Sequence, residues 1–263
     1  MIDIVIISDA SKGEGYDLTS QTIQSLIDTN IGLIKRIIVV ESDLTANYNR
    51  LNSSELPITI IRPTGDFNYN SYLNQGIKAT KSKYIALCNN DLIFEKNWDS
   101  SIIDAIKLSS RELGLPVLSA SPFCPNTQGK TMGFVPEIYL SGYEIRKHIS
   151  GWCILIDRSI LSIIGKLPEE VDFWFSDNLY ADKLRKMRLT HILSTRSFVT
   201  HYNSGSNTLK SIDGTTKEKF TTGQQTTYNK EKDKLFPAEK IIKEENFERL
   251  SPKNIELKDS RYN

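Results

Sequence analysis

The chain has little that could brace it from outside its own core. Its three cysteines, Cys88, Cys124 and Cys153, are odd in number and widely spaced, which excludes a disulfide framework. Two of them lie in apolar runs, where cysteine behaves as a small hydrophobe, so a reducing, cytoplasmic setting is expected. Three histidines, with His148 and His191 in no ligand spacing, exclude a structural zinc site. No apolar run approaches the roughly 20 residues a membrane span needs. The start, Met1-Ile2-Asp3-Ile4-Val5-Ile6-Ile7, lacks the basic flank of a leader and reads as a first strand. Charge of one sign is missing too: 33 basic against 32 acidic residues leave no global field to draw the chain onto nucleic acid or an anionic surface. Any polyanion must therefore be bound locally.

What is present is ordinary globular chemistry, 39% hydrophobic and 25% charged, enough for a full core. Short β-branched runs alternate with helical periods over residues 2 to 91: Ile2–Ser8, Thr19–Asp28, Ile37–Val40, Ile58–Ile61, Tyr69–Thr80 and Tyr84–Cys88. That order, β-α-β-β-α-β, predicts an α/β fold with a mainly parallel central sheet flanked by helices. Thr19 is the expected cap of the first helix. A helix is expected over Trp98–Leu113, with Ile102, Ile103, Ile106 and Leu113 on its apolar side, then a strand at Val117–Ser121. Residues 122–150, with Pro122, Pro125, Pro136 and three glycines, read as loops and short strands around a site. Strands at Gly151–Asp157 and His191–Thr200 enclose a short helical turn and a helix over Asn178–Arg188. The domain is expected to run over 1–210, as halves 1–98 and 99–210, followed by a polar extension, 211–263, that wraps the domain or frays.

The most specific segment is residues 66–91, DFNYNSYLNQGIKATKSKYIALCNND, in which an apolar strand ends on Asn89-Asn90-Asp91. A carboxylate delivered at the C-terminal end of a buried strand is a hard oxygen ligand in the crevice where open α/β sheets bind ligands. Ser8 and Asp9 end the first strand and Glu41-Ser42-Asp43 the second, so they face the same crevice. The bland alternative for Asp91 is a turn cap, and for Glu41 and Asp43 a solvated loop.

Asn74 and Gly76, followed by a strand ending in Asn89-Asn90-Asp91, resemble the nucleotide-sugar half of the family 2 glycosyltransferases, whose GT-A (Rossmann-like) fold carries an Asn-x-Gly helix, read here as starting at Asn74-Gln75-Gly76, before an Asp-x-Asp or Asn-x-Asp motif. The resemblance implies a nucleoside-diphosphate-sugar donor, UDP-linked by preference, and Mn²⁺ or Mg²⁺ on its diphosphate. It implies Asp91 as the anchor ligand with Asn89 and His201 beside it, Glu41 and Asp43 on the nucleoside, Asn74 bracing the donor pocket, and Ser8, Asp9 and Asn90 lining it. Asn89 stands where aspartate is commoner, which lowers the negative charge available to a cation.

A second block, Gly165 to His201, holds Phe173-Trp174-Phe175-Ser176-Asp177 and resembles the family's acceptor half, with Ser176 in place of the first acid of a Glu-Asp pair. Direct displacement at an anomeric carbon needs a base on the acceptor hydroxyl, and Asp177 is the candidate. As a bland reading, Asp177 caps the helix that follows. Trp152 and Trp174 are candidates to stack on an acceptor sugar, with core packing as their alternative. The run Lys183, Arg185, Lys186, Arg188 reads either as a solvated face or as a contact for an acidic acceptor. The expected activity is thus metal-dependent, inverting transfer of a sugar to a hydroxyl of a polysaccharide, glycolipid, protein or modified DNA base. Two alternatives stay open: a nucleotidyltransferase, for which the chain lacks a Gly-rich basic loop beyond Lys12, Gly13 and Gly15, and a non-catalytic binding protein on the same scaffold.

Overall fold

The computed structural model describes residues 1–11, 14–30, 32–52, 56–202 and 214–236, the side chains of 214–220 excepted. Lys12 and Gly13 lie outside the described residues. In chain order the elements are β1 (Ile2–Ser8), α1 (Gly15–Thr29), β2 (Ile34–Glu41), β3 (Ile58–Ile61), α2 (Tyr69–Lys78), β4 (Tyr84–Cys88), β5 (Leu92–Phe94), α3 (Trp98–Leu113), β6 (Ser119–Phe123), α4 (Gln128–Met132), β7 (Tyr139–Ser141), β8 (Cys153–Asp157), α5 (Ile160–Ile164), α6 (Ser176–Lys186), β9 (His191–His201) and α7 (Gly214–Leu235).

One sheet runs β3-β2-β1-β4-β8-β6-β9-β5, with β7 also on β9. Its first four strands are parallel; β8 then enters antiparallel to both β4 and β6, and beyond it β6 and β9 are parallel, while β5 and β7 pair antiparallel with β9. All seven residues of β1 are buried, as expected of a strand covered on both faces. Ile4 and Ile6 pack toward α1 and α3 with Ile23, Leu26, Trp98 and Ile102. Val5 and Ile7 pack toward α2 and α6 with Tyr72, Leu73 and Tyr180. Its one charged member, Asp3, is fully buried and accepts from Lys81 N, Ser82 N and Ser82 Oγ at 2.5, 2.9 and 2.7 Å, satisfying a carboxylate that would otherwise be costly to bury.

Several local expectations shift. Thr19 does not cap α1, which begins at Gly15: a β-carbon on Gly15 would fall 2.2 Å from Asp9 O, so the chain can turn into the helix here only without one. Thr19 instead donates to Gly15 O at 2.7 Å. Asn74-Gln75-Gly76 lies late in α2, not at its start; Asn68 is the cap and accepts from Ser71 N at 2.9 Å. The strand expected at 117–121 is β6 at 119–123, and Leu113, expected on the apolar side of α3, is exposed. The basic run on α6 is spent locally: Lys183 donates to Lys166 O, Arg185 pairs with Asp182 and lies over the Tyr143 ring, and Lys186 lies over the Phe236 ring. Of the polar extension, α7 docks on the domain. Tyr228 stacks on Phe175 at 5.2 Å and donates to Asp182 Oδ2, while Gln224 Oε1 accepts from Phe173 N. The rest of the extension lies outside the described residues.

Candidate functional site

The first three parallel strands to be joined, β2, β1 and β4, end at one crevice, on Glu41, Ser8 and Cys88. Ser8 is buried, its Oγ 2.6 Å from Thr19 Oγ1 and 3.3 Å from Tyr48 OH. Glu41 is fully buried and both its oxygens are engaged: Oε1 accepts from Ala10 N and Asp43 N, and Oε2 from Tyr48 OH. Its carboxylate thereby folds the 42–48 loop, whose carbonyls at Asp43 and Ala46 are also gripped by Arg62. Asp43, further out, accepts from Thr45 N and Oγ1, and those bonds hold its carboxyl below the usual range. Asp9 accepts from Ser11 at the crevice edge. Asn90 donates to Thr19 Oγ1 at 3.0 Å. Asn74 is buried, and its amide is used on the 165–169 loop: it donates to Leu167 O and Glu169 Oε1 and accepts from Leu167 N. Of the sequence-derived donor residues, then, Ser8, Glu41 and Asn90 join one hydrogen-bonded group through Thr19 and Tyr48, while the side-chain bonds of Asn74 go to the 165–169 loop.

Asp91 is placed differently. Pairing of β5 with β9 sets Leu92 opposite His201, and Tyr202 N donates to Asp91 O at 2.8 Å. His201 Nε2 consequently lies 3.1 Å from Asp91 Oδ1. It is out of hydrogen-bonding alignment, for that buried oxygen has no hydrogen-bond donor. A buried carboxylate oxygen without a donor is unfavourable, and a carboxylate with an imidazole nitrogen beside it is a donor set a divalent cation accepts. Among the described residues no group of three or more His, Cys, Asp or Glu gathers to hold a metal, so a cation would need oxygens from its ligand as well.

The Trp152 ring stacks on His201 at 5.9 Å with planes 20° apart, and Trp152 O accepts from Asn89 N at 2.9 Å. The preceding residue, Gly151, lies against Asp177: a β-carbon on it would stand 3.2 Å from Asp177 Cβ. A single dipeptide therefore touches the Asp91–His201 pair on one side and Asp177 on the other. Asp177 is in the first turn of α6, after Phe175, which occupies the cap position at φ 66° without a side-chain cap bond, and its Oδ1 accepts from Asn178 N in the same turn. Burial pushes the Asp177 carboxyl up, while the N–H groups of Asn178, Gly151 and its own residue and the charge of Arg146 pull the other way. Trp174 packs edge-on against Phe173 at 5.1 Å, and its Nε1 is buried with no partner.

Sequence reasoning did not single out Tyr69. Its hydroxyl lies 2.8 Å from Asn89 Oδ1 and 2.7 Å from Gly151 O, joining the strand-end motif to the dipeptide. The available signal was its position five residues before Asn74, one turn and a half up the same helix. Tyr48 and Gly151 were also missed, because their partners are 7 and 26 residues or more away in sequence and no local pattern marks them.

Comparison with known proteins places this geometry. The chain is 22% identical over 212 residues to the uncharacterized protein y4gI of Sinorhizobium fredii; the match takes in 70% of this chain and spans 23% of that protein's length. Among solved structures, GalNAc-T7 with UDP, GalNAc and Mn²⁺ superposes with a TM-score of 0.58 at 12% identity, over 79% of this chain and 44% of that one. The mannosyltransferase PcManGT from Pyrobaculum calidifontis, in complex with GDP-Man and Mn²⁺, gives 0.55 at 11% identity, over 76% and 56%. These likenesses fix the fold as GT-A. The family model for glycosyl transferase family 2 matches residues 3–165, more than half of the sequence, and the chain belongs to that family.

Proposed function

We propose that the chain transfers a sugar from a nucleoside diphosphate, UDP by preference, to a hydroxyl acceptor with inversion, Asp177 acting as base. The observation that carries this reading is the Gly151-Trp152 dipeptide, which stacks on His201 of the Asp91 pair and packs against Asp177. A donor site and a base on two sides of one backbone segment are what in-line displacement requires. Asp91 and His201, with Asn89, would hold Mn²⁺ or Mg²⁺, which when bound neutralises charge on the departing diphosphate. Asp43 and the loop shaped by Glu41 receive the nucleoside, over a floor of Ser8, Thr19 and Asn90. Asp9 sits at the rim, and Asn74 braces the donor pocket through the 165–169 loop. Asp177 takes the acceptor proton, and Trp152 and Trp174 flank the acceptor. The structures of similar fold in complex with UDP or GDP-Man and Mn²⁺ support the donor class. Three free, buried cysteines support a reducing compartment, and no described helix is long and apolar enough to cross a membrane.

The test is release of nucleoside diphosphate from a panel of UDP-sugars and GDP-mannose with Mn²⁺ or Mg²⁺, with Asp91→Ala alongside. Turnover that needs the cation and is lost in Asp91→Ala is expected. Pyrophosphate release from a nucleoside triphosphate and a sugar phosphate would favour nucleotidyl transfer instead. The sparse ligand set around Asp91 favours, as a second reading, a binding protein, which tight nucleotide-sugar binding without turnover would establish.

A further inference from the structure

An asparagine in a cation site presents a problem that an aspartate does not. Its amide ends in one carbonyl oxygen, which a hard cation accepts, and one NH₂, which it does not. Unless something fixes the amide, the wrong head faces the ligand in part of the molecules. In this chain Asn89 occupies such a position, and its side chain meets the hydroxyl of Tyr69.

We propose that Tyr69 is a positioning residue that fixes the Asn89 amide with its NH₂ against the phenol, leaving the carbonyl oxygen as the atom Asn89 offers to a divalent cation. The inference rests on the reading of Asn89-Asn90-Asp91 as the diphosphate and metal site, and it deepens that reading. Tyr69 OH stands 2.7 Å from Gly151 O and 2.8 Å from Asn89 Oδ1, and a half-turn of the amide, whose oxygen and nitrogen are alike in shape, puts the NH₂ at that same place. The phenol has one proton for two neighbours. Gly151 O can only accept, so it takes that proton. The phenol oxygen then faces Asn89 as an acceptor, and the amide head that satisfies it is NH₂. With that assignment every group in the chain Asn89 to Tyr69 to Gly151 has a partner; with the reverse assignment two acceptors compete for one proton.

Tyr69 is built to hold this orientation. It is 8% exposed, its ring meets Phe173 edge-on at 5.8 Å, and its main-chain N–H donates to Asp172 O at 2.6 Å. It opens α2, whose entry is pinned by Asn68 donating to Glu169 O and Val171 O. The hydroxyl is thus carried on a fixed ring with little freedom to swing. Its other partner, Gly151, rests on Asp177, so one hydroxyl sets the donor motif and the backbone under the base together.

The probe is UDP, with GDP as a second nucleotide, titrated calorimetrically into the full chain with and without Mn²⁺. Tyr69→Phe keeps the ring and removes the hydroxyl. It is expected to weaken the Mn²⁺-dependent part of binding by about 10- to 100-fold, the usual effect of losing a group that orients a metal ligand, and to leave Mn²⁺-free binding unchanged. Adding Asn89→Asp to Tyr69→Phe is expected to restore Mn²⁺-dependent binding, because a carboxylate presents oxygen at either head. A merely structural role would weaken binding with and without Mn²⁺ alike and would not be rescued; that result overturns the proposal, as does binding by Tyr69→Phe within twofold of the parent. Asn89→Ala is a second test that leaves the phenol's packing in place: an oxygen-presenting Asn89 predicts weaker Mn²⁺-dependent binding, and unchanged or tighter binding overturns it. If the parent chain itself binds neither nucleotide in a Mn²⁺-dependent way, the reading of the site fails, and the parent titration alone distinguishes that failure from failure of the Tyr69 role.

Discussion

Asp177 Oδ2 lies 3.4 Å from where a β-carbon on Gly151 would stand, and Asp177 Cβ lies 3.2 Å from it. The contact is tighter than side chains ordinarily make, so any larger residue at 151 must displace Asp177 by a few tenths of an ångström. Gly151 also gives its carbonyl to Tyr69 and precedes Trp152, whose ring covers His201. A rigid backbone segment just before β8 therefore links the Asp91–His201 pair to Asp177. That rigidity matters for a displacement in which the base and the leaving group must lie on opposite faces of one carbon.

Gly151→Ala should push Asp177 by a few tenths of an ångström. Misplacement of about 1 Å can cost about 100-fold in rate, so a loss of about tenfold in kcat is expected. Mn²⁺-dependent nucleotide affinity should change little, because the three atoms nearest the added methyl all belong to Asp177. Steady-state kinetics and calorimetry on the same variant separate the two effects.

Asp177→Asn should abolish transfer by about 100- to 10,000-fold, the range for loss of a general base, yet make the protein more stable. Burial raises the carboxyl in the fold above its unfolded value. Between those two values the folded state binds more protons, so stability falls as pH rises through the window, and at neutral pH the ionised group opposes folding. An amide removes that cost while its oxygen can still accept from Asn178 N, which bonds Asp177 Oδ1 at 3.0 Å. Thermal unfolding at pH 7 should show a higher Tm. In the parent, kcat/KM should fall on the acid side with a midpoint above the ordinary aspartate value, since the base must be ionised. A lower Tm in the variant, or an acid limb at the ordinary value, would contradict the buried-base account.

The parallel half of the fold was legible because β1, β2 and β4 are buried on both faces and so read as unbroken apolar runs, and because Asp91, at a strand end, carries a type of residue that strands seldom end on without reason. The antiparallel entry of β8 was not legible: Cys153–Asp157 is as apolar as β4, and its direction depends on a connection through residues 122–150 that has no periodic pattern. Asp91, His201 and Asp177 stand out in the sequence as strand-end or helix-start residues of the family-like blocks, and the fold brings His201 to 3.1 Å from Asp91. Glu41 and Asn74 looked equally chemical, but whether a polar side chain faces a ligand or its own loop depends on partners far along the chain, such as Glu169 for Asn74. Tyr69 carries no local signal of its partners, because Asn89 and Gly151 lie 20 and 82 residues away in sequence.

Gly76→Ala tests the packing side of the Asn-x-Gly helix. A β-carbon there would fall 2.4 Å from Val5 Cγ1 and 2.9 Å from Val40 Cγ2, so α2 can approach the sheet this closely only at glycine. Overpacking of a core typically costs about 1–3 kcal/mol, and urea unfolding should show a loss of that size. If the glycine instead served the donor directly, nucleotide affinity would fall with stability unchanged.

His201→Ala removes the nitrogen beside Asp91 and the partner of the Trp152 ring. Mn²⁺-dependent UDP affinity should drop by about 10- to 100-fold, as when a ligand or its support is lost, while His201→Gln, with an oxygen to offer, should recover part of it. Equal affinity across the three proteins would remove His201 from the metal site.

His191 predicts a pH dependence of stability that has nothing to do with catalysis. It is fully buried; Nε2 lies 3.1 Å from His148 O and Nδ1 2.8 Å from Ser119 Oγ. The carbonyl can only accept, so Nε2 carries the proton and Nδ1 accepts from Ser119, whose oxygen lies 2.8 Å from Tyr180 OH. Burial lowers the imidazole to about 3 from 6.5 in the fold. The unfolded chain thus binds a proton in that window that the folded chain refuses, and stability present above about pH 6.5 is lost as pH falls, at up to about 1.4 kcal/mol per pH unit for this one group. Asp177 changes stability in the opposite sense on acidification, so the comparison must be with His191→Gln, whose amide can serve the same two partners without titrating. The parent's unfolding free energy relative to the variant's should fall steadily from pH 7 to pH 5. A constant difference would mean that His191 titrates alike in the folded and unfolded chain.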